Sequence, residues 1–323
     1  MRMDRSGGLG SAALLLLLAV LACAHGASEA PSSSFRIAMI PDTQNYVDYT
    51  HQRDEGFALD ASELFIAQME WIAERGVASG GDIAFVASVG DVWQHQTLTS
   101  DPGHADRGIG RLERSFFGEH LAPTPRTTDF EVPKAIEGYE RIPEAGIPFG
   151  VAPGNHDYDA MWSVDTFPPD FEKDPRELRF VPEDIGMLHI GGLDNFRSAF
   201  GDGSPFFAGK DWYVASFRGG ANSAQIFEAG GYRFLHFALE MAADDAVLRW
   251  AQQVIDAHPG LPTIVSTHDY LDARGRRRAN PIVDLDRVDP DHHNSAEELF
   301  AKWIAPNDQI FLVLCGHHHG QAR

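Results

Sequence analysis

From Phe35 onwards the chain is built of short apolar runs separated by polar, glycine-rich breaks. Phe35 to Ile40 has strand length, and a pattern with Leu59, Leu64, Phe65, Met69 and Ile72 on one side then continues to Gly76, as an amphipathic helix requires. Ile83 to Val89 predicts a second buried strand, Val132 to Ile142 a helix, and Pro148 to Pro153 a third strand closed by proline. Gln225 to Glu228 and Tyr232 to Leu239, joined by Gly230-Gly231, predict a hairpin. Asp244 to His258 predicts an amphipathic helix with Asp244 or Asp245 as its cap. Leu261 to Thr267 predicts a strand ending at His268. Ser295, with Glu298 three residues on, opens a capped helix, and Gln309 to Cys315 forms the last strand. Strands and helices alternate through most of the chain, so the class is α/β.

Two stretches break that rhythm. Residues 99–130, rich in glycine, proline and charge, predict a long loop near the site with a short helix around Leu112 to Phe117. Residues 158–222 lack helical periodicity and carry Phe167-Pro168-Pro169, Pro205-Phe206-Phe207 and Trp212-Tyr213, which predicts a long ordered insertion over the active face. The N-terminus has a different grammar. Arg2 and Arg5 precede an apolar run from Ala12 to Ala22, and small residues follow at Ala22, Ala24 and Ala27, the pattern of an export signal. The expected organisation is a signal peptide at 1–27, a linker at 28–34 and one catalytic domain at 35–323. The protein is then secreted or periplasmic. The apolar run is too short for a membrane span, and Cys23 makes a poor lipoprotein site because Leu21 is large where a small residue is usual.

Composition narrows the chemistry. With 323 residues, 43% hydrophobic and 23% charged, the chain can bury a full globular core. Lys+Arg of 26 against Asp+Glu of 47 gives a formal net charge of -21, which disfavours nucleic acid and anionic membranes as partners. An anionic substrate would need local positive charge from basic side chains or bound cations. The two cysteines predict no disulfide, and Cys315 is expected as a lone thiol.

Candidate chemistry stands at the ends of the apolar runs: Pro41-Asp42-Thr43-Gln44, Gly90-Asp91, Gly154-Asn155-His156-Asp157, His268 and Gly316-His317-His318-His319. Strand ends are where α/β proteins place their sites. Asn155 offers a neutral amide oxygen, His156 can carry a proton, and Asp157 can orient a neighbouring imidazole. A two-metal hydrolytic site holds its cations about 4 Å apart, so that water is activated and phosphoryl charge stabilised. Asp91 suits the bridging position between them. His317 and His319 share a face in an extended segment while His318 points away, which favours the first two as ligands.

The order Asp-x-Gln, Gly-Asp, Gly-Asn-His-Asp, His, Gly-His-x-His resembles the calcineurin-like metallophosphoesterases, from Asp42 to His319. The resemblance implies a four-layer sandwich of two mixed β-sheets flanked by α-helices. It assigns Asp42, Asp91 and His319 to a first metal and Asp91, Asn155, His268 and His317 to a second. His156, supported by Asp157, would protonate the leaving group or stabilise the oxyanion. The family commonly carries Asp-x-His in its first motif, whereas Gln44 stands there in this chain. The tyrosine that purple acid phosphatases place three residues after the second-motif aspartate is here Gln94. Gln44 either ligates through its amide oxygen or binds a coordinated water, and a neutral oxygen ligand favours Mn2+ or Fe2+/Fe3+ over Zn2+.

The reading is therefore an exported phosphoesterase acting on small phosphate mono- or diesters through metal-bound hydroxide at a dinuclear centre. The alternative is a metal-binding or scaffolding member of the same fold without turnover. Arg197 and the Arg274 to Arg278 run are candidate phosphate contacts, and His95, His292 and His293 read as surface or loop residues. The chain stops at Arg323, where relatives continue with further strands; the expectation is a fragment, or a loosely held Gly316 to His319 loop.

Overall fold

The computed structural model describes residues 34–318. The expected export signal, Cys23, most of the linker and His319 lie outside them. Among the described residues no helix is long and apolar enough to cross a membrane.

Three short apolar runs become the parallel strands β1 (Arg36–Ile40), β2 (Ile83–Ser88) and β3 (Phe149–Val151), paired in that order. Parallel neighbours need long crossovers, and the helices α1 (Ala61–Ala73) and α2 (Val132–Glu144) supply them. Asp60 and Glu63 close a capping box at the start of α1, so the exposed donors of its first turn are satisfied. Phe65 and Met69 of α1 and Ala135, Tyr139 and Ile142 of α2 bury against the outer side of this sheet.

Two small strands follow, β4 (Ala160–Ser163) and β5 (Leu188–Gly191), which pair antiparallel. The short helix α3 (Asp194–Phe200) comes next. The second large sheet runs β10-β9-β8-β7-β6 and is made from β6 (Tyr213–Phe217), β7 (Asn222–Ala229), β8 (Tyr232–Ala238), β9 (Thr263–Ser266) and β10 (Ile310–Leu314). Strands β8, β9 and β10 are parallel, and β6, β7 and β8 are antiparallel. Its outer face packs on α4 (Asp245–Ala257), capped by Asp244 as expected, and on α5 (Ala296–Leu299) with its Ser295–Glu298 box. The result is helix, sheet, sheet, helix, as the resemblance implied. Only the second large sheet is mixed, because every connection within the first is a crossover.

The two sheets meet through Ala84, Phe85, Ala87, Phe227, Phe234 and Ile264. Phe85 stacks on Phe227 with ring centroids 4.4 Å apart. Beside this apolar seam lies a buried polar chain. The Gln225 amide nitrogen donates to Ser223 Oγ at 2.8 Å, so its oxygen takes the His236 Nδ1 proton at 2.7 Å, and His236 Nε2 receives the Ser266 hydroxyl at 2.8 Å. Both ring nitrogens are satisfied only in the neutral form, and burial lowers the His236 pKa to about 3. A histidine in the unfolded chain titrates near 6.5, so below that pH the unfolded state takes the proton first. The stability tied to this group is complete above pH about 6.5 and falls as the pH drops towards 3, by about 1.4 kcal/mol per unit. Urea unfolding midpoints between pH 7 and 4 are expected to fall less steeply for His236→Gln than for the unmodified protein; equal slopes would remove this account.

Two expectations change. Residues 112–117 form no helix, because Leu112 N–H donates to Ser163 O at 2.9 Å and Ser115 bonds the Ser163 hydroxyl, holding the segment extended against β4. Helical turns sit instead at Pro102–Ala105 and Gly118–Leu121. The 158–222 insertion does contain helix: α3 is two turns long, too short for a period to show, and its signal is Phe196 and Phe200 four residues apart. Both are buried against Trp93, two residues past Asp91. Phe206, Phe207 and Trp212 pack on Phe149 of β3, so this stretch is part of the core.

Candidate metal centre

Because β1, β2 and β3 are parallel to one another, and β9 and β10 likewise, the loops after them carry Asp42, Asp91, Asn155, His268 and His317 to strand C-terminal ends. His268 is fully buried at their meeting point. Its Nδ1 lies 2.8 Å from the Val89 carbonyl, an acceptor, so Nδ1 carries a proton. That leaves Nε2, which lies 3.1 Å from Asp91 Oδ2, 3.1 Å from Asn155 Oδ1 and 3.1 Å from His317 Nδ1. Asp42 Oδ1 is 4.0 Å away and accepts the His317 backbone N–H at 2.9 Å.

Asp91 occupies a left-handed backbone conformation, with φ of 54°. This aims its carboxylate at the cluster, and Oδ1 accepts the His156 N–H at 2.9 Å. Burial opposes its charge, yet His268 and His156 beside it hold the carboxyl well below the usual range. The same pairing works on His268: burial penalises its charged ring, but Asp91 holds its pKa up to about 10. His317 is pushed down to about 4 by burial and by His268.

The backbone around Asp91 leaves room for nothing larger. A Cβ on Gly154 would stand 2.3 Å from Asp91 Oδ1 and 2.8 Å from His268 Nδ1, and one on Gly90 would stand 2.4 Å from Gly154 N. Gly154→Ala must therefore displace Asp91 without removing any donor group from the sequence. A loss of at least about 100-fold in kcat/KM is expected, with a stability loss of about 1–3 kcal/mol. Steady-state kinetics and thermal unfolding measure the two; activity within threefold of the parent would mean that this close approach is not needed.

Gln44 donates from Nε2 to Asp91 Oδ2 at 3.3 Å, and its buried Oε1 has no hydrogen-bond partner among the described residues. A fully desolvated amide oxygen without a partner costs about 1–3 kcal/mol. Its placement beside a carboxylate, a second amide oxygen and two imidazoles fits a divalent-cation site. Around His268 Nε2 stand two oxygen acceptors, Asp91 Oδ2 and Asn155 Oδ1, and a third ring nitrogen, His317 Nδ1, a donor set that a cation can share.

The other expected residues fall in different places. His156 Nδ1 donates to the Gln94 carbonyl at 2.7 Å, which leaves Nε2 for proton exchange. The Asp157 carboxylate, expected to support that ring, is instead spent on backbone donors, accepting from Val92 N at 2.8 Å, Trp93 N at 3.3 Å and Gly154 N at 2.8 Å. It clamps the second and third motif loops together, and burial with the Asp91 charge raises its pKa. The 316–318 segment is a tight turn rather than an extended run: His317 has φ of 65° and His318 N–H bonds the Gly316 carbonyl at 2.7 Å. The face-sharing argument for His317 and His319 therefore does not apply. His318 faces Asp269 at 3.0 Å. Arg197 pairs with Asp194 and, with Tyr158 and Arg218, lines a separate cavity of about 250 Å³. Arg276 and Arg277 are paired with Asp272 and Glu297.

Several supports escaped the sequence reading. Asn280, ordered by its own Oδ1 accepting Ile282 N–H at 3.0 Å, donates to His317 Nε2 at 2.9 Å. Buried Glu131 accepts from the backbone of Gln94 at 3.1 Å and His95 at 3.0 Å, and lies 2.6 Å from His95 Nδ1. This fixes the loop whose Gln94 carbonyl holds His156. His95 is thus a loop residue, as expected, but a half-buried one whose ring is tied to Glu131. Glu131 ends the helical turn Thr127–Glu131 that leads into α2, and a lone glutamate there carries no pattern that would have announced the role.

A family model described as calcineurin-like phosphoesterase matches residues 35–321. A relative in Bacillus subtilis (strain 168), the uncharacterized protein YvnB, is 22% identical over 292 residues, covering 90% of this chain and 16% of that protein. The chain thus spans about a sixth of that relative's length.

Proposed function

Since the chain belongs to the calcineurin-like phosphoesterase family, we propose that it is a metal-dependent hydrolase of phosphoric esters working at a dinuclear centre around Asp91. The observation that carries this reading is the convergence of Asp91 Oδ2, Asn155 Oδ1 and His317 Nδ1 on His268 Nε2, each at 3.1 Å. Asp42, Gln44, Asp91 and His319 would hold one cation, and Asp91, Asn155, His268 and His317 the other, with Mn2+ or an iron ion favoured by the neutral oxygen of Gln44. Two such cations supply Lewis acidity towards the phosphoryl oxygens and a nucleophile from water at neutral pH.

The chain's own residues do the rest. Val89 takes the Nδ1 proton of His268 and leaves its Nε2 ordered as a ligand atom before any cation arrives, whereas His317, whose Nε2 accepts from Asn280, carries its proton on Nδ1 and must release it to ligate through that atom. Asp157 locks the Gly154 loop to the Asp91 loop through three backbone N–H groups. His156, held at Nδ1 by the Gln94 carbonyl, offers Nε2 to the departing alkoxide and gives it a proton. Export is part of the proposal, supported by the Arg2 to Ala27 pattern; a mature protein beginning just after Ala24 or Ala27 agrees with it, and an intact Met1 opposes it.

Hydrolysis of p-nitrophenyl phosphate and bis-p-nitrophenyl phosphate, with Mn2+ supplied and then chelated, tests the activity. Turnover of either ester that chelator abolishes supports the proposal, and the preferred ester assigns the class. A folded, metal-loaded protein inert on both would leave the non-catalytic alternative standing.

A further inference from the structure

A second group of metal-type donors lies away from the Asp91 cluster and shares no residue with it. His104, in the helical turn Pro102–Ala105, His189 of β5 and Asp289, just after the short helix Leu285–Val288, bring one ligand atom each to within 4.8 Å of one another, and all three are buried. His189 is fully buried, and neither ring nitrogen has a hydrogen-bond partner among the described residues. Its surroundings are aromatic: Trp162, His104 and His293, with ring centroids at 5.5, 4.8 and 5.5 Å. An imidazole is a poor core filler, because each desolvated nitrogen without a partner costs about 1–3 kcal/mol. Valine or leucine would fill the strand position without that cost.

The neighbours are arranged as they are around metal ligands. Asp101 Oδ2 lies 2.9 Å from His104 Nδ1 but outside hydrogen-bond geometry, so this buried nitrogen also has no hydrogen-bond partner among the described residues. Asp289 is oriented by His292 Nδ1 at 2.8 Å from Oδ1, and Arg107 Nη1 lies 3.1 Å from Oδ2. Burial holds the His189 ring neutral, the form in which imidazole ligates.

We propose that His104, His189 and Asp289 bind a further divalent transition-metal ion of the zinc type, as a structural clip separate from the catalytic centre. Two imidazole nitrogens and one carboxylate oxygen select such an ion over Mg2+ or Ca2+. The ion would tie the 101–107 segment and the 285–289 segment to β5, three stretches far apart in sequence. His292 and His293, expected as surface or loop residues, do lie in the loop before α5, at the edge of this group.

Zinc titration of chelator-stripped full-length protein, with bound metal measured after gel filtration, is the test. Asp91→Asn is expected to retain one tight Zn2+ equivalent, and His189→Asn and Asp289→Asn to bind one equivalent fewer than the parent. Parent-like stoichiometry in both of these variants, or no zinc on Asp91→Asn, would overturn the proposal. Should the variants fail to fold, anomalous scattering at the zinc edge from crystals of the zinc-loaded parent decides it. A peak about 2.0–2.2 Å from donors of His104, His189 and Asp289 supports the site, and its absence refutes it.

Discussion

Asp91→Asn is expected to lower kcat/KM on aryl phosphates by at least about 1,000-fold, some 4 kcal/mol of transition-state stabilisation. The backbone argument is local. Asp91 sits at φ of 54°, a region that asparagine tolerates as readily as aspartate, so the substitution adds no strain. The new Oδ1 can still accept the His156 N–H that Asp91 Oδ1 accepts at 2.9 Å. What disappears is the negative charge at the oxygen 3.1 Å from His268 Nε2, the donor that the proposed dinuclear centre needs between its two cations. The substitution also removes the charge partner of the buried His268 ring and sets an NH2 group against Gln44 Nε2, so a stability loss of up to about 3–5 kcal/mol is expected beside the kinetic loss, and the assay is run where thermal unfolding shows the variant folded. A variant that keeps activity within tenfold would show that Asp91 does not bridge.

The second large effect separates catalysis from binding. His156→Gln removes the group that can transfer a proton, while Asp42, Asp91, Asn155, His268 and His317 keep their places. General acid catalysis contributes about 100- to 10,000-fold, so kcat is expected to fall by about that factor, with KM changed only a few-fold and metal content intact. The loss must also depend on the leaving group. A nitrophenolate leaves as a stable anion and needs little help, whereas an alkyl phosphate needs the proton. Comparing the two substrates in parent and variant reads this directly: a drop several-fold larger on the alkyl ester fits proton donation by His156. An equal drop on both assigns the residue to charge stabilisation instead.

Much of this site can be read in the sequence because its candidate ligands stand where apolar runs stop. Ile40, Ser88, Val151, Ser266 and Leu314 end strands, and Asp42, Asp91, Asn155, His268 and His317 follow each within four residues. What escapes is set by contacts distant along the chain. Nothing near Asn280 hints that it holds His317, 37 residues away, or near Glu131 that it holds the loop presenting Gln94. The turn at His317 follows from its left-handed backbone, which a Gly-His-x-His string does not announce. Helix α3 hid for a different reason: two turns carry too few positions for a period. His189 looks like an ordinary strand residue until Trp162 is placed opposite it, and the burial of its ring then asks for an explanation.

The central claim is that Asp91 holds a dinuclear centre which hydrolyses phosphate esters. Elemental analysis of the parent and of Asp91→Asn, purified side by side and assayed on p-nitrophenyl phosphate and its bis-ester, tests it most directly. The account predicts two fewer metal equivalents in the variant and the loss of turnover with them. Equal metal content in the two proteins, or a fully loaded parent that turns over neither ester, would contradict it.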